Sequence, residues 1–133
     1  MRPQPLIAVT DVEASSAWYQ RVLALESAHG GVEYEQLTAD GELVLQLHAR
    51  EVEHHHERIG DPSLPYGSGV LLWFETDEFD AAVERAKAAH ATVVKEPHVN
   101  PNAGHRELWL RDPDGFVVVI ASAKGARGKQ DQR

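Results

Sequence analysis

The chain has 133 residues, which suffices for one domain with a hydrophobic core, and it contains no cysteine. Disulfides, thiolate metal ligands and a cysteine nucleophile are therefore excluded. The formal net charge of -8 disfavours binding to nucleic acid or anionic membrane and favours neutral or cationic ligands. No apolar run approaches the roughly 20 residues of a membrane span, and the first residues lack a signal-peptide core. We therefore expect a cytoplasmic protein with no nucleic-acid or membrane partner.

The first half of the chain predicts a strand, a helix and then more strands. Residues 6–10 form a short apolar strand, and Asp11 follows as a helix N-cap. The helix is predicted to end near Leu25, and its apolar residues recur at helical spacing: Val12, Trp18, Tyr19, Val22 and Leu23. His29-Gly30-Gly31 marks a turn before a strand over 32–38. Asp40-Gly41 then predicts a hairpin into a strand over 43–48.

A polar stretch over about 50–69, which includes His54-His55-His56, is interpreted as a linker. The second half then repeats the pattern, with a strand over 70–74 and Glu78 at the position equivalent to Asp11. An apolar helical stripe follows at Phe79, Ala82, Val83 and Ala86. The rest of this half is predicted to contain a strand over 92–94, a loop over 97–104, a strand over 106–111, the turn Asp112-Pro113-Asp114-Gly115 and a strand over 116–121. Residues 123–133 are predicted to form a flexible tail.

Two copies of one βαβββ unit predict an α+β fold in a single domain over residues 1–122. Module one spans about 4–49 and module two about 70–122. Residues 11–19 (DVEASSAWY) and the segment from Gly104-His105-Arg106 to Gly115 carry a specific resemblance. The chain resembles the vicinal oxygen chelate superfamily, which includes glyoxalase I, extradiol dioxygenases, fosfomycin-resistance enzymes and bleomycin-resistance proteins. The resemblance covers roughly residues 4–122 and implies two modules that form a glyoxalase/bleomycin-resistance-type sheet cup.

The alternation of side chains along each strand predicts which of them line that cup. The leucines at 43, 45 and 47, and those at 108 and 110, are expected to pack on the helices. The intervening polar and aromatic residues then face the concave side. They are the predicted ligand-binding residues: Gln46, His48, Trp73, Glu75, His105, Glu107 and Trp109.

Metal enzymes of the superfamily use four positions, which the resemblance maps onto Gln4, Gln46, Leu71 and Val119. Leucine and valine cannot ligate a metal and glutamine is a weak ligand, so we expect no metal cofactor. An alternative is a relocated site for Zn, Ni or Fe at His48, His105 and Glu107. His98 and the three consecutive histidines are placed at the rim. The favoured interpretation of the histidine run is a solvated loop that binds metals adventitiously.

Three functions follow from these observations. The first is a metal-independent protein that resembles the bleomycin-resistance branch and binds a small aromatic or cationic molecule in the cup; the resemblance implies a homodimer. The second is a metal-dependent lyase, isomerase or dioxygenase with the relocated site. The third is a non-catalytic structural or regulatory dimer. No catalytic residue is assigned, although Glu75 and Glu107 are candidates for a general acid and base if they are desolvated.

Overall fold

The computed structural model describes residues 2–51, 63, 70–102 and 104–123. The chain divides into two compact units, Met1–Tyr66 and Gly67–Arg133, and each contains one βαβββ module. The predicted α+β fold made of two modules is therefore confirmed. That the concave faces of the two modules enclose one shared cup stays a prediction.

The first module is a four-stranded mixed sheet with one helix. Its elements are β1 (Leu6–Val9), α1 (Val12–Leu23), β2 (Glu26–Ser27), β3 (Tyr34–Ala39) and β4 (Glu42–Ala49). The sheet order is β1-β4-β3-β2. Strand β1 pairs with β4 in parallel, and the remaining pairs are antiparallel.

The second module repeats this topology. Its elements are β5 (Leu71–Thr76), α2 (Phe79–Ala88), β6 (Thr92–Val99), β7 (Arg106–Arg111) and β8 (Val117–Ser122). The sheet order is β5-β8-β7-β6, again with one parallel pair, between β5 and β8. The repeat in the sequence therefore corresponds to the same order of parallel and antiparallel pairing in both modules.

The core of the first module lies between the leucine side of β4 and the apolar side of α1. Leu45, Leu47, Tyr19 and Val22 have no exposed surface. Complete burial of an aliphatic side chain of this size contributes roughly 1.5–3 kcal/mol to folding. This packing fixes the orientation of β4, so the residues between the leucines face away from α1.

The core of the second module uses the helical stripe that the sequence predicts. Phe79, Ala82 and Ala86 of α2 are buried, and so are Leu108 and Leu110 of β7. The small alanines let the helix approach the sheet closely. The side of β7 that carries the two leucines is therefore the helix side, as predicted.

The two helices begin differently, although an acidic residue precedes each. Asp11 caps α1, because its Oδ1 accepts a hydrogen bond from the N–H of Ala14 at 3.0 Å. The Glu78 side chain makes no such bond at the start of α2; instead its backbone N–H donates to Oγ1 of Thr76 at 3.0 Å. Glu78 is therefore the N-cap residue of α2, as predicted, but its side chain does not cap the helix. The longer glutamate side chain is not among those that favour the N-cap position.

Strand β6 is longer than predicted and continues through Pro97 to Val99. The predicted loop over 97–104 therefore begins too early. Strand β6 lies at the edge of its sheet. A proline is tolerated there, because its missing N–H can face away from the neighbouring strand and no hydrogen bond between strands is lost. Its pairing with β7 shifts register twice between Val93 and His98. The extension places His98 directly opposite Glu107.

Both predicted tight turns are present. Asp40 and Gly41 have φ angles of 51° and 80°, as a two-residue hairpin with left-handed central residues requires. In the turn before β8, Oδ1 of Asp112 accepts hydrogen bonds from the backbone N–H groups of Asp114 and Phe116, each at 2.9 Å. Gly115 has a φ of 95°, which explains the glycine in this turn.

The sequence pattern did not indicate a buried acid on the helix side of the first sheet. Glu35 accepts hydrogen bonds from Ser16 at 2.8 Å, from Ser27 at 2.7 Å and from the backbone of Gly30 at 2.7 Å. Burial on its own would raise the pKa of Glu35, but these hydrogen bonds, with one from the backbone of His29, bring it below its ordinary value. The carboxylate ties α1 to the turn between β2 and β3.

Most of the predicted linker over 50–69, including His54-His55-His56, lies outside the described residues, and so does the predicted tail beyond Ala123. In the part of the chain that the structure describes, neither helix is long and apolar enough to cross a membrane.

The cap at Asp11 gives a testable difference between the two helices. We expect Asp11→Ala to lower the free energy of unfolding by about 1 kcal/mol, because it removes the acceptor for the N–H of Ala14. Glu78→Ala is the matched control and should change it by less than about 0.5 kcal/mol. Urea denaturation followed by circular dichroism measures both. Equal losses in the two variants would contradict this assignment.

Candidate functional site

The candidate site lies on the face of the second sheet that points away from α2. Register alignment of β5, β8 and β7 places Trp73, Val119 and Trp109 in one row and Glu75, Ala121 and Glu107 in the next. His105 precedes β7 and contacts both Trp73 and Glu107. We call the surface formed by Trp73, Glu75, His105, Glu107 and Trp109 the indole face. The register agrees with the predicted shared face for Trp73, Glu75, Glu107 and Trp109.

Glu107 is the centre of the polar contacts on the indole face. Its side chain is almost fully buried, and its Oε2 lies 2.5 Å from Nε2 of His105 and 2.8 Å from the donor Nδ2 of Asn100. Its Oε1 accepts a hydrogen bond from Nε1 of Trp109 at 2.9 Å and lies 3.6 Å from Nε2 of His98. Both carboxylate oxygens are therefore engaged by the protein, which fixes the carboxylate in place.

These donors decide the charge of Glu107. Burial on its own would raise the pKa of this carboxyl group. The hydrogen bonds from Asn100, Trp109 and His105, together with attraction to the charge that His105 carries when protonated, bring the pKa below its ordinary value of 4.5. Glu107 is therefore an anion at neutral pH. Because an ionised carboxylate only accepts hydrogen bonds, Nε2 of His105 must carry a proton.

The two tryptophans of the indole face have different surroundings. Trp109 is half-buried, donates to Glu107, and has the ammonium group of Lys95 4.1 Å from its ring centroid. Trp73 is 46% exposed, and its one ring contact among the described residues is His105, at 5.7 Å between centroids. Trp109 therefore supports the site, whereas Trp73 presents an accessible aromatic ring beside the exposed carboxylate of Glu75.

The corresponding face of the first sheet carries a network of amides and a phenol. Gln46 lies opposite Gln36 in the register, and the hydroxyl of Tyr34 donates to Oε1 of Gln46. Nε2 of Gln36 donates to the Tyr34 hydroxyl at 3.0 Å, and Nε2 of Gln46 donates to the carbonyl of Gln4 at 2.9 Å. His48 lies on the same face, is almost fully buried, and has Nδ1 2.8 Å from the carbonyl oxygen of Ala49.

The sequence and the fold agree on the family. The Glyoxalase/Bleomycin resistance protein/Dioxygenase superfamily profile matches residues 3–120. The chain belongs to this superfamily. No curated protein matches the sequence.

Solved structures with the same fold are distant in sequence. A protein of unknown function from Agrobacterium tumefaciens str. C58 is 24% identical, with a TM-score of 0.74 over 92% of this chain and 94% of that one. Lactoylglutathione lyase from Agrobacterium tumefaciens is 20% identical, with a TM-score of 0.69 over 92% and 93%. The fosfomycin resistance protein FosX from Listeria monocytogenes is 14% identical, with a TM-score of 0.66 over 93% of each chain. At these identities the likeness shows the fold alone.

The superfamily's usual metal does not fit the residues of this chain. Leu71 and Val119 have no donor atom, and Val119 is buried. Gln46 already uses its carbonyl oxygen to accept from Tyr34 and its amide nitrogen to donate to the Gln4 backbone. Across residues 2–51, 63, 70–102 and 104–123, no group of three histidine or acidic side chains is placed to hold a metal ion. The relocated site at His48, His105 and Glu107 stays a prediction, because His48 belongs to one compact unit and the other two residues to the other.

Four residues that sequence reasoning did not assign to the site take part in its polar contacts: Tyr34, Gln36, Lys95 and Asn100. Tyr34 and Gln36 lie on the same face as Gln46, so the alternation that predicted Gln46 was also present in β3. Asn100 had no comparable signal. It reaches Glu107 because of the turn at Gly104, whose N–H donates to the Asn100 carbonyl at 2.8 Å.

The buried anion at Glu107 predicts a pH-dependent contribution to stability. We expect Glu107→Gln to lower the free energy of unfolding by roughly 1–3 kcal/mol at pH 7, because an amide cannot accept from all of the surrounding donors. The pKa is lower in the folded state, so the ionised wild-type carboxylate stabilises most above the ordinary value of 4.5. The difference in the free energy of unfolding between wild type and Glu107→Gln should therefore narrow as the pH falls below 4.5.

Urea denaturation at pH 7, 5 and 3.5 measures this difference, and Glu75→Gln, which changes an exposed carboxylate on the same face, is the control. Other acids that titrate in both proteins, such as Glu35, cancel in the comparison. A difference between wild type and Glu107→Gln that stays constant with pH would contradict the assignment of Glu107 as a buried anion.

Proposed function

We propose that this member of the superfamily binds a planar, positively charged aromatic small molecule on the indole face, without a bound metal. The observation that carries the proposal is the 46% exposed Trp73 with the exposed Glu75 two residues along the same strand face. An exposed indole of this kind offers stacking and cation–π contact, and the carboxylate offers an ion pair. The net charge of -8 favours the approach of a cation.

The neighbouring groups support a ligand of this shape. Lys95 lies over the Trp109 ring, and the Trp109 N–H donates to Glu107. Trp109 and Glu107 therefore form part of the wall of the site, and their polar groups are already used by the protein. His105 adds a second flat ring beside Trp73. A planar ligand placed on Trp73 would contact His105 at one side and Glu75 along the strand. Gln46 and His48 of the first module stay predicted ligand-binding residues.

Titration with a matched pair of ligands tests this proposal. We expect 9-aminoacridine, which is cationic at pH 7, to quench tryptophan fluorescence and bind more tightly than neutral acridine in calorimetry. Bleomycin, a cationic aromatic antibiotic, is the third probe. Trp73→Ala should weaken 9-aminoacridine binding about tenfold, because stacking and cation–π contact together contribute roughly 1.4 kcal/mol. Glu75→Gln should weaken it by up to about fivefold, with a smaller effect at high salt.

Glu96→Gln is the matched control, because Glu96 is an exposed carboxylate of the same sheet that lines a cavity of about 270 Å³ on the α2 side together with Val83 and Ala86. It should leave binding unchanged. Absence of binding by all three probes, or equal binding by wild type and Trp73→Ala, would refute the proposal.

We also propose that the protein is a homodimer. Val70, Leu71 and Trp73, which are 42%, 47% and 46% exposed at the β5 edge of the second sheet, support this. Exposed apolar residues gathered at a sheet edge can mark an interaction surface. Sedimentation velocity should give twice the 14.7 kDa mass of the chain, and a monomer at all concentrations up to 100 μM would exclude a stable dimer.

A further inference from the structure

We propose that His105 is a general base that accepts a proton at Nδ1 from a planar aromatic carbon acid bound on Trp73, with Glu107 as its positioning residue. The inference rests on the proposed function, because the substrate would occupy the same indole face. It adds a chemical activity to a site that otherwise only binds.

The tautomer of His105 follows from its partner. Nε2 lies 2.5 Å from Oε2 of Glu107, and a carboxylate held by donors from Asn100 and Trp109 is an anion that cannot donate. The proton of the neutral imidazole is therefore on Nε2, and the lone pair is on Nδ1. No hydrogen bond from the described residues engages Nδ1 of His105. The nitrogen that can accept a proton is thus the one that the described residues leave available.

Glu107 also stabilises the imidazolium that would form. Transfer of a proton to Nδ1 places a positive charge 2.5 Å from a carboxylate that is almost fully buried, where charges interact more strongly than in water. A buried carboxylate that orients a histidine and balances its charge is the arrangement found in hydrolase triads. His98 lies beyond Glu107, with Nε2 at 3.6 Å, and Glu75 lies in the same cross-strand row.

The position of His105 also suits its role. Its ring centroid is 5.7 Å from that of Trp73, with the two planes tilted by 58°. A flat molecule stacked on Trp73 would present its edge to the imidazole. Because the residue is only 9% exposed, little water competes with a bound carbon acid for Nδ1.

The probe for this activity is 5-nitrobenzisoxazole, a planar aromatic carbon acid. The base removes the hydrogen at C3, the electron pair of that C–H bond forms the nitrile, and the ring N–O bond breaks. The product is 2-cyano-4-nitrophenolate, which absorbs in the visible range, and the proton on Nδ1 is released to solvent. The step needs no oxidant, reductant or second substrate.

His105→Gln is the decisive variant, because its amide can still donate to Glu107 but has no basic nitrogen. We expect wild type to exceed this variant at least tenfold in kcat/KM, at the lower end of the roughly 10²–10⁴-fold typical of general-base catalysis, since the probe is not the natural substrate. His90→Asn is the control: it removes an imidazole outside the indole face at a position with φ 53°, which asparagine tolerates. It should retain the wild-type rate.

Glu107→Gln tests the positioning role separately. It should lower kcat with little change in KM, because the imidazolium that forms during proton transfer loses its anionic partner. A residue with only a structural role would not lower kcat selectively in a folded variant. Circular dichroism and the thermal midpoint of each variant establish that it is folded.

Three results would overturn the inference: a wild-type rate no higher than that of equimolar free imidazole, an unchanged rate in His105→Gln, or a rate that EDTA abolishes and added Zn, Ni or Fe restores. Binding of 9-aminoacridine by His105→Gln with loss of the rate would support both proposals. Binding without any His105-dependent rate would refute the general base alone. Absence of binding in wild type would refute the proposed function, and with it the general base that depends on a bound substrate.

Discussion

The buried carboxylate of Glu107 is the interaction on which the indole face depends. It receives donors from Asn100 in the loop before β7, from His105 directly before the strand and from Trp109 within it, so it joins that loop to β7. A buried charge without such partners would be strongly destabilising. Here every neighbour also has its orientation fixed: the ring of Trp109, the tautomer of His105 and the amide of Asn100. Of the five residues of the indole face, Trp73 and Glu75 are exposed, and these are the groups that the proposed ligand would contact.

The two modules share a topology but place their buried acids on opposite sides of the sheet. In the first module Glu35 lies on the helix side, where Ser16 and Ser27 hold it, and it supports a turn. In the second module Glu107 lies on the side away from α2 and supports a site. The face of the first sheet carries neutral amides and a phenol around Gln46 instead of charges. In this chain the first sheet therefore carries a network of amides and a phenol, whereas the second carries a buried carboxylate among aromatic rings.

Much of the fold was predictable because its signals are local. The Asp40-Gly41 and Asp112–Gly115 turns, the cap at Asp11 and the helical stripe of α2 each depend on a few neighbouring residues, and each was found. The alternation along β5 and β7 also predicted the shared face of the indole residues. Two features were not predicted, because a pattern of polar and apolar residues does not show them. The extension of β6 through Pro97 depends on its position at the edge of the sheet. The missing side-chain hydrogen bond at Glu78 depends on the length of the side chain.

The roles of the site residues were harder to predict than their positions. Glu107 was expected to face a ligand, yet its oxygens are taken up by protein donors, one of which comes from Asn100 in a loop without a motif. The most direct check of this arrangement is ¹⁵N NMR of the His105 ring at pH 7 in the ligand-free protein. We expect a protonated Nε2 that shows coupling across the hydrogen bond to Glu107, and an unprotonated Nδ1. A ring protonated on Nδ1, or one that averages between the two tautomers, would contradict the role of Glu107 as the fixed anion that orients the site.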